Sequence, residues 1–144
     1  MSEAEDKIRG KLRQLDQPAV WSLATVTEGG KPWVRYVTPM AVDDDFVIWG
    51  NTFAGARKVA QIAANQEVHL TVGIKDYASA ADYLQVSGIA EVLTDPAIKA
   101  DKWVDYLSAV YSGPDDPNFA VLKITPYRIE YQTLAPVPPT VWER

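Results

Sequence analysis

The sequence contains no cysteine and a single histidine, His69. The lack of cysteine excludes disulfides, thiolate metal ligands and thiol nucleophiles. One histidine without a thiol cannot assemble a zinc site of the usual nitrogen and sulfur type. His69 lies within "EVHLTV", where a solitary strand histidine most often serves packing or surface. No stretch approaches the roughly 18 consecutive apolar residues of a membrane-spanning helix. The opening "MSEAEDKIRGKL" is charged and lacks the apolar core of a signal peptide. A cytoplasmic protein without a membrane partner is therefore expected. Basic residues are also scarce: 14 Lys and Arg stand against 19 Asp and Glu, a net charge of -5. That balance argues against nucleic acid or an anionic membrane surface as partner.

Sequence motifs are as sparse. There is no G-x-S-x-G nucleophile elbow, no phosphate-binding P-loop and no G-x-G-x-x-G dinucleotide fingerprint. The carboxylate runs Asp43–Asp45 and Asp115–Asp116 fall in turns and read most simply as solvated charge. No catalytic acid or base can be named, and no metal site is expected. If the protein is an enzyme, the difficult step belongs to a bound organic cofactor.

What is present describes one globular domain. The 144 residues are 47% hydrophobic and 23% charged, enough for a real core. "EAEDKIRGKLRQL" carries Ile8, Leu12 and Leu15 at helical spacing. "AVWSLATVT", "WVRYVTPMAV" and "FVIWGN" are β-rich runs separated by short polar turns, as in an antiparallel meander. A helix over "ARKVAQIAANQ" follows, with Val59, Ile62 and Ala63 as its apolar stripe. Further strands are expected at "EVHLTVGI", at "YLQVSGIAEVL" with a bend or bulge at its central glycine, at "FAVLKI", and at "YRIEYQTL" after a break at "TP". A helix over 94–111 should start at Asp95 as N-cap with Pro96 in first position. The proline-rich tail "APVPPTVWER" cannot be a central strand. The expected fold is mainly β: six or seven strands in a small closed or nearly closed barrel, with flanking helices.

Two anomalies concern cations. Arg57 and Lys58 fall in the first turn of a helix, where the dipole is already positive and acidic side chains are favoured. Free backbone N–H groups converge there with two charges just after the strand end at Asn51 and Thr52, which makes an anion site. The alternative is that both side chains reach into water. In "WVRYVTP", alternation sets Trp33, Arg35 and Val37 on one face and Val34, Tyr36 and Thr38 on the other. Arg35 is thus a charge on an apolar face and calls for an anionic partner, unless that strand is a solvated edge. One phosphate held by Arg35, Arg57 and Lys58 would answer both anomalies. Five tryptophans and seven tyrosines offer stacking surface for a planar ring, or alternatively core and subunit contacts.

The succession "VRYVTP", acidic turn, "FVIWGNT" and "AGARKVAQIAANQEVHLTV" resembles the FMN-binding split barrel of the pyridoxamine 5′-phosphate oxidase-like superfamily. "VSGIAEVLTDP" and "SGPDDPNFAVLKITPYRIEY" resemble its general stress protein 26 branch, and the likeness runs from Ala19 to Tyr131. It implies FMN as cofactor and a homodimer with a flavin at each interface site. It assigns Arg35, Arg57 and Lys58 to the FMN phosphate, Tyr36, Val37 and Thr38 to the ribityl and isoalloxazine, and Asn51 and Thr52 to the strand end beside the cofactor. The implied activity is that of a flavin-dependent oxidoreductase or stress-related flavoprotein, with a small-molecule substrate that the resemblance does not name. A non-catalytic flavin carrier or sensor, a deazaflavin-dependent reductase and a haem protein are the alternatives. The chain departs from the family at Ala56, where serine is common, at Tyr83, where the oxidase has glutamine, and at Gln132, where tryptophan is frequent. The C-terminal arginine and histidine region that binds the pyridoxal substrate in the true oxidase has no counterpart in "TLAPVPPTVWER", which argues against that reaction.

Overall fold

The computed structural model describes residues 2–144. The chain opens with α1 (Glu3–Gln14), whose N-cap Ser2 accepts the Glu5 N–H at 3.1 Å. Then come β1 (Trp21–Val26), β2 (Pro32–Val37), β3 (Ala41–Val42), β4 (Ile48–Phe53), α2 (Arg57–Ala64), β5 (Glu67–Val72) and β6 (Asp82–Leu93). After α3 (Pro96–Lys102) and a 3₁₀ turn (Asp105–Ala109) follow β7 (Phe119–Thr133) and β8 (Thr140–Glu143).

All strands join one antiparallel sheet in the order β2-β1-β5-β6-β7-β4-β3, with β8 on β7. β2 and β3 end the path without pairing to each other, so the barrel is not closed. Eight strands replace the expected six or seven through three changes. Thr38–Met40 interrupt the run "WVRYVTPMAV", since Pro39 has no N–H for a ladder, and Met40 N–H then turns to the Trp49 carbonyl at 2.7 Å. The two runs either side of "TP" are a single strand, β7, which absorbs Pro126 in a register shift opposite Ser87 and Gly88. The tail supplies β8, which pairs only with β7.

Alternation along the strands builds the core. Trp21, Leu23 and Thr25 of β1, Val68, Leu70 and Val72 of β5, and Leu84 and Val86 of β6 are all buried. Ile8 of α1 and Ile62 of α2 close over them. A side chain of this kind contributes about 2 kcal/mol when fully buried.

A second cluster, with Leu107, Tyr111, Phe119 and Val121, lies under α3 and the 3₁₀ turn. The expected helix over 94–111 starts as foreseen, with Asp95 accepting the Ala97 N–H at 2.8 Å. It stops at Lys102 because Trp103 and Val104 are extended, which sets the Trp103 ring edge-on to Phe119 at 5.4 Å. The acidic turns do more than carry solvated charge. Asp43 accepts the N–H groups of Asp45, Val47 and the Trp49 indole, and Asp116 accepts those of Ser112 and Asn118. Among the described residues, no helix is long and apolar enough to cross a membrane.

Candidate functional site

β4 ends at Phe53, and the turn Ala54–Ala56 delivers the chain into α2. Ala56 is the N-cap, is extended, and offers no side-chain acceptor to the first-turn N–H groups. No acidic residue stands in that turn. This helix start is therefore uncapped by any side chain.

The cations gather around this helix end. Lys58 Nζ donates to Thr52 Oγ1 at 3.0 Å, and Thr52 is buried in the end of β4. The Arg57 guanidinium lies 5.5 Å above the Trp33 ring. Arg35 belongs to the edge strand β2, yet it is half-buried and not splayed into solvent. Its Nη1 donates to Thr25 Oγ1 at 2.6 Å and its Nη2 to Gln61 Oε1 at 2.7 Å. Thr25 donates in turn to the same Gln61 oxygen at 2.6 Å.

None of Arg35, Arg57 and Lys58 has an ion-pair partner among the described residues. Burial lowers the Arg35 pKa, and the nearby Arg57 charge lowers it further. Lys58 is lowered for the same reasons, burial first and then the charge of Arg35. Three cations without a carboxylate partner thus lie beside a helix start that no side chain caps, a charge arrangement suited to seating an anion.

The other expected residues do not converge on the three cations. Thr38 and Asn51 are neighbours, with Asn51 Nδ2 donating to the Thr38 carbonyl at 3.4 Å. Tyr111 donates to Asn51 Oδ1 at 3.2 Å, and Tyr106 reaches the Thr38 carbonyl at 3.4 Å. Asn51 and Thr52 point to opposite sides of β4, so the seat and this tyrosine-flanked pair are separated by one strand. Val37 packs against the core. Tyr36 is 79% exposed on the outer face of β2, where it borders a groove of about 650 Å³ that also touches Val20, Val72 and Ile74. None of the three cations lines that groove.

Sequence reasoning missed Thr25, Gln61, Tyr106 and Tyr111. Gln61 alone carried a signal, one turn beyond Arg57 and so on its side of the helix. His69 is exposed on β5, opposite Ala24 and Ser87, outside this constellation. Partial desolvation of the ring among its strand neighbours lowers its pKa, against the opposing influence of Glu130.

Comparison with known proteins gives the lineage. The sequence model of the family described as pyridoxamine 5′-phosphate oxidase matches residues 6–133. General stress protein 26 of Bacillus subtilis is 34% identical over 115 residues, covering 80% of each chain. The crystal structure of general stress protein 26 from Bacillus anthracis superposes with a TM-score of 0.78 at 25% identity, covering 99% of this chain and 100% of that one. A pyridoxamine 5′-phosphate oxidase-related, FMN binding protein from Nostoc punctiforme reaches 0.74 at 16% identity, covering 100% and 92%. The chain belongs to the pyridoxamine 5′-phosphate oxidase family, on the split-barrel fold.

Proposed function

We propose that this chain is an FMN-binding flavoprotein acting as a flavin-dependent oxidoreductase, assembled as a homodimer. The observation that carries the reading is the convergence of Arg35, Arg57 and Lys58 without a carboxylate partner. A phosphate dianion fits that donor set, because it would relieve the mutual repulsion and accept from the uncapped N–H groups of α2. The FMN binding protein of Nostoc punctiforme shares the fold and supports the choice of cofactor.

In this reading Arg35, Arg57 and Lys58 hold the phosphate, and Thr52 fixes the Lys58 ammonium. Tyr36, Val37, Thr38 and Asn51 serve the remainder of the flavin. When bound, FMN supplies the hydride- and electron-transfer chemistry that the side chains lack. The chain's own work is binding, orientation and electrostatics. The exposed apolar Val34 and Tyr36 on the outer face of β2, 65% and 79% exposed, support burial against a second copy.

Oxidation of pyridoxamine phosphate itself is not part of the proposal. Arg144 donates to the carbonyls of Pro126 and Asp45, and Trp142 packs edge-on against Phe46 at 5.0 Å. The tail thereby packs on the barrel. The shortage of acid–base groups around the cations supports a second reading, a flavin carrier or sensor without turnover. Steady NAD(P)H-driven reduction of bound flavin with turnover on an acceptor would eliminate that second reading.

The test is direct. Purified protein should carry flavin absorption, and the pigment released on denaturation should have the mass of FMN. A colourless protein that also fails to bind added FMN at micromolar concentration would refute the proposal. Competition between FMN and a deazaflavin separates the two cofactor classes.

A further inference from the structure

Arg35 is held in place entirely by neutral groups. Thr25 and Gln61 take its two guanidinium ends at 2.6 and 2.7 Å, and each is also bonded to the other. Two further acceptors, the carbonyls of Leu23 and Trp33, lie at 3.3 and 3.4 Å. Thr25 sits diagonally across the β1–β2 ladder from Arg35, whose direct partner is Leu23. Gln61 comes from α2, one turn beyond Arg57 and three residues beyond Lys58.

Folding energetics would favour a glutamate at position 61. Glutamate has the same helix propensity and nearly the same shape. Its charge would pair with Arg35 and would sit three and four residues from two cations of its own helix. Glutamine reproduces the contacts to Arg35 and Thr25 without cancelling any positive charge.

We infer that Gln61 is a positioning and specificity residue: it aims Arg35 while leaving the seat's full positive charge for a phosphorylated ligand. The inference rests on the FMN reading above and extends it to a residue outside the expected cation set. Selectivity for phosphate-bearing over phosphate-free flavin then depends on the neutrality of position 61 as well as on the cations.

Dissociation constants of wild type, Gln61→Glu and Gln61→Ala for FMN and for riboflavin test this. Gln61→Glu should lose about tenfold or more of the FMN-over-riboflavin preference, with riboflavin affinity held within about twofold. The ligand-free Gln61→Glu protein should melt above wild type, a gain that a merely structural role for glutamine would not give. Gln61→Ala should lose preference in the same direction, by less. If Gln61→Glu fails to bind riboflavin at all, Gln61→Ala and Thr25→Val carry the test, and both must reduce the preference. A wild type that prefers FMN beside a Gln61→Glu variant with an unchanged ratio overturns the inference while leaving the FMN reading intact. A wild type with no preference removes both.

Discussion

Lys58 Nζ donates to Thr52 Oγ1 at 3.0 Å, so the ammonium is fixed by a hydroxyl and keeps its whole charge. Thr52 passes its own hydrogen to the Phe53 carbonyl at 3.1 Å, which leaves its lone pair directed at the lysine. The pair ties the end of β4 to the first turn of α2 and makes the position of the charge a property of the fold.

Removing that charge together with its neighbour should affect FMN selectively. The double substitution Arg57→Ala and Lys58→Ala is expected to weaken FMN binding by about 3–6 kcal/mol, at roughly 1.5–3 kcal/mol per charged hydrogen bond. Riboflavin lacks the phosphate and should be affected far less. Fluorescence titration of both ligands checks this, and equal losses would mean that the pair does not grip the phosphate.

The same charge should burden the ligand-free fold. Burial and Arg35 lower the Lys58 pKa, so the folded chain binds this proton less well than the unfolded chain does. The cost is fully present below the lowered value and is relieved as pH rises from there towards the unfolded value near 10.4. Lys58→Met should therefore raise the melting temperature of ligand-free protein at neutral pH by about 2 °C, equivalent to about 0.5–1 kcal/mol. Calorimetry with and without FMN should show that gain together with a reduced FMN-induced shift. A variant that melts lower without ligand contradicts the electrostatic account.

Away from the seat, Asp82 anchors α1 to the sheet. It accepts from Lys11 Nζ at 2.6 Å and from the Tyr131 hydroxyl, and these bonds, Lys11 first, lower its pKa. A depressed carboxyl stabilises the fold above its unfolded value of about 3.9, and the contribution is lost as pH falls through the lower folded value. Asp82→Asn should cost about 2 kcal/mol at pH 7, since it strands a lysine whose side chain is only 10% exposed. Denaturation series should show the gap to wild type closing below about pH 4. A gap independent of pH would assign the loss to packing.

Gly88 faces the register shift of β7. A Cβ there would stand 3.0 Å from both Ile124 Cγ2 and the Thr125 carbonyl oxygen. Gly88→Ala should destabilise the protein by about 1–3 kcal/mol through overpacking. Urea unfolding measures it, and a neutral result would mean that β7 yields at Pro126 more readily than its pairing indicates.

The sequence is most legible where one local pattern decides the outcome. Ile8 and Leu12 announce α1 by spacing alone, Asp95–Pro96 mark the start of α3, and Gly88 marks the irregular centre of β6. The strand boundaries around proline are less legible, because the two cases differ only in tertiary setting. Pro39 ends a strand, whereas Pro126 is carried through one by a bulge. At the site, Arg35, Arg57 and Lys58 stand out because each breaks a local rule of charge or burial. Gln61 and Thr25 break none and lie 36 residues apart, so only the packing of α2 against β1 brings them together. Tyr106 and Tyr111 are similarly concealed in what reads as a continuous helix until Trp103 and Val104 interrupt it.

The central claim is that the cation cluster exists for a flavin phosphate. Parallel fluorescence titrations of wild-type protein with FMN and with riboflavin test it most directly. The account predicts that FMN binds tighter by at least about a hundredfold, the equivalent of two charge-assisted hydrogen bonds. Equal affinity for the two flavins, or no binding of either, would contradict it.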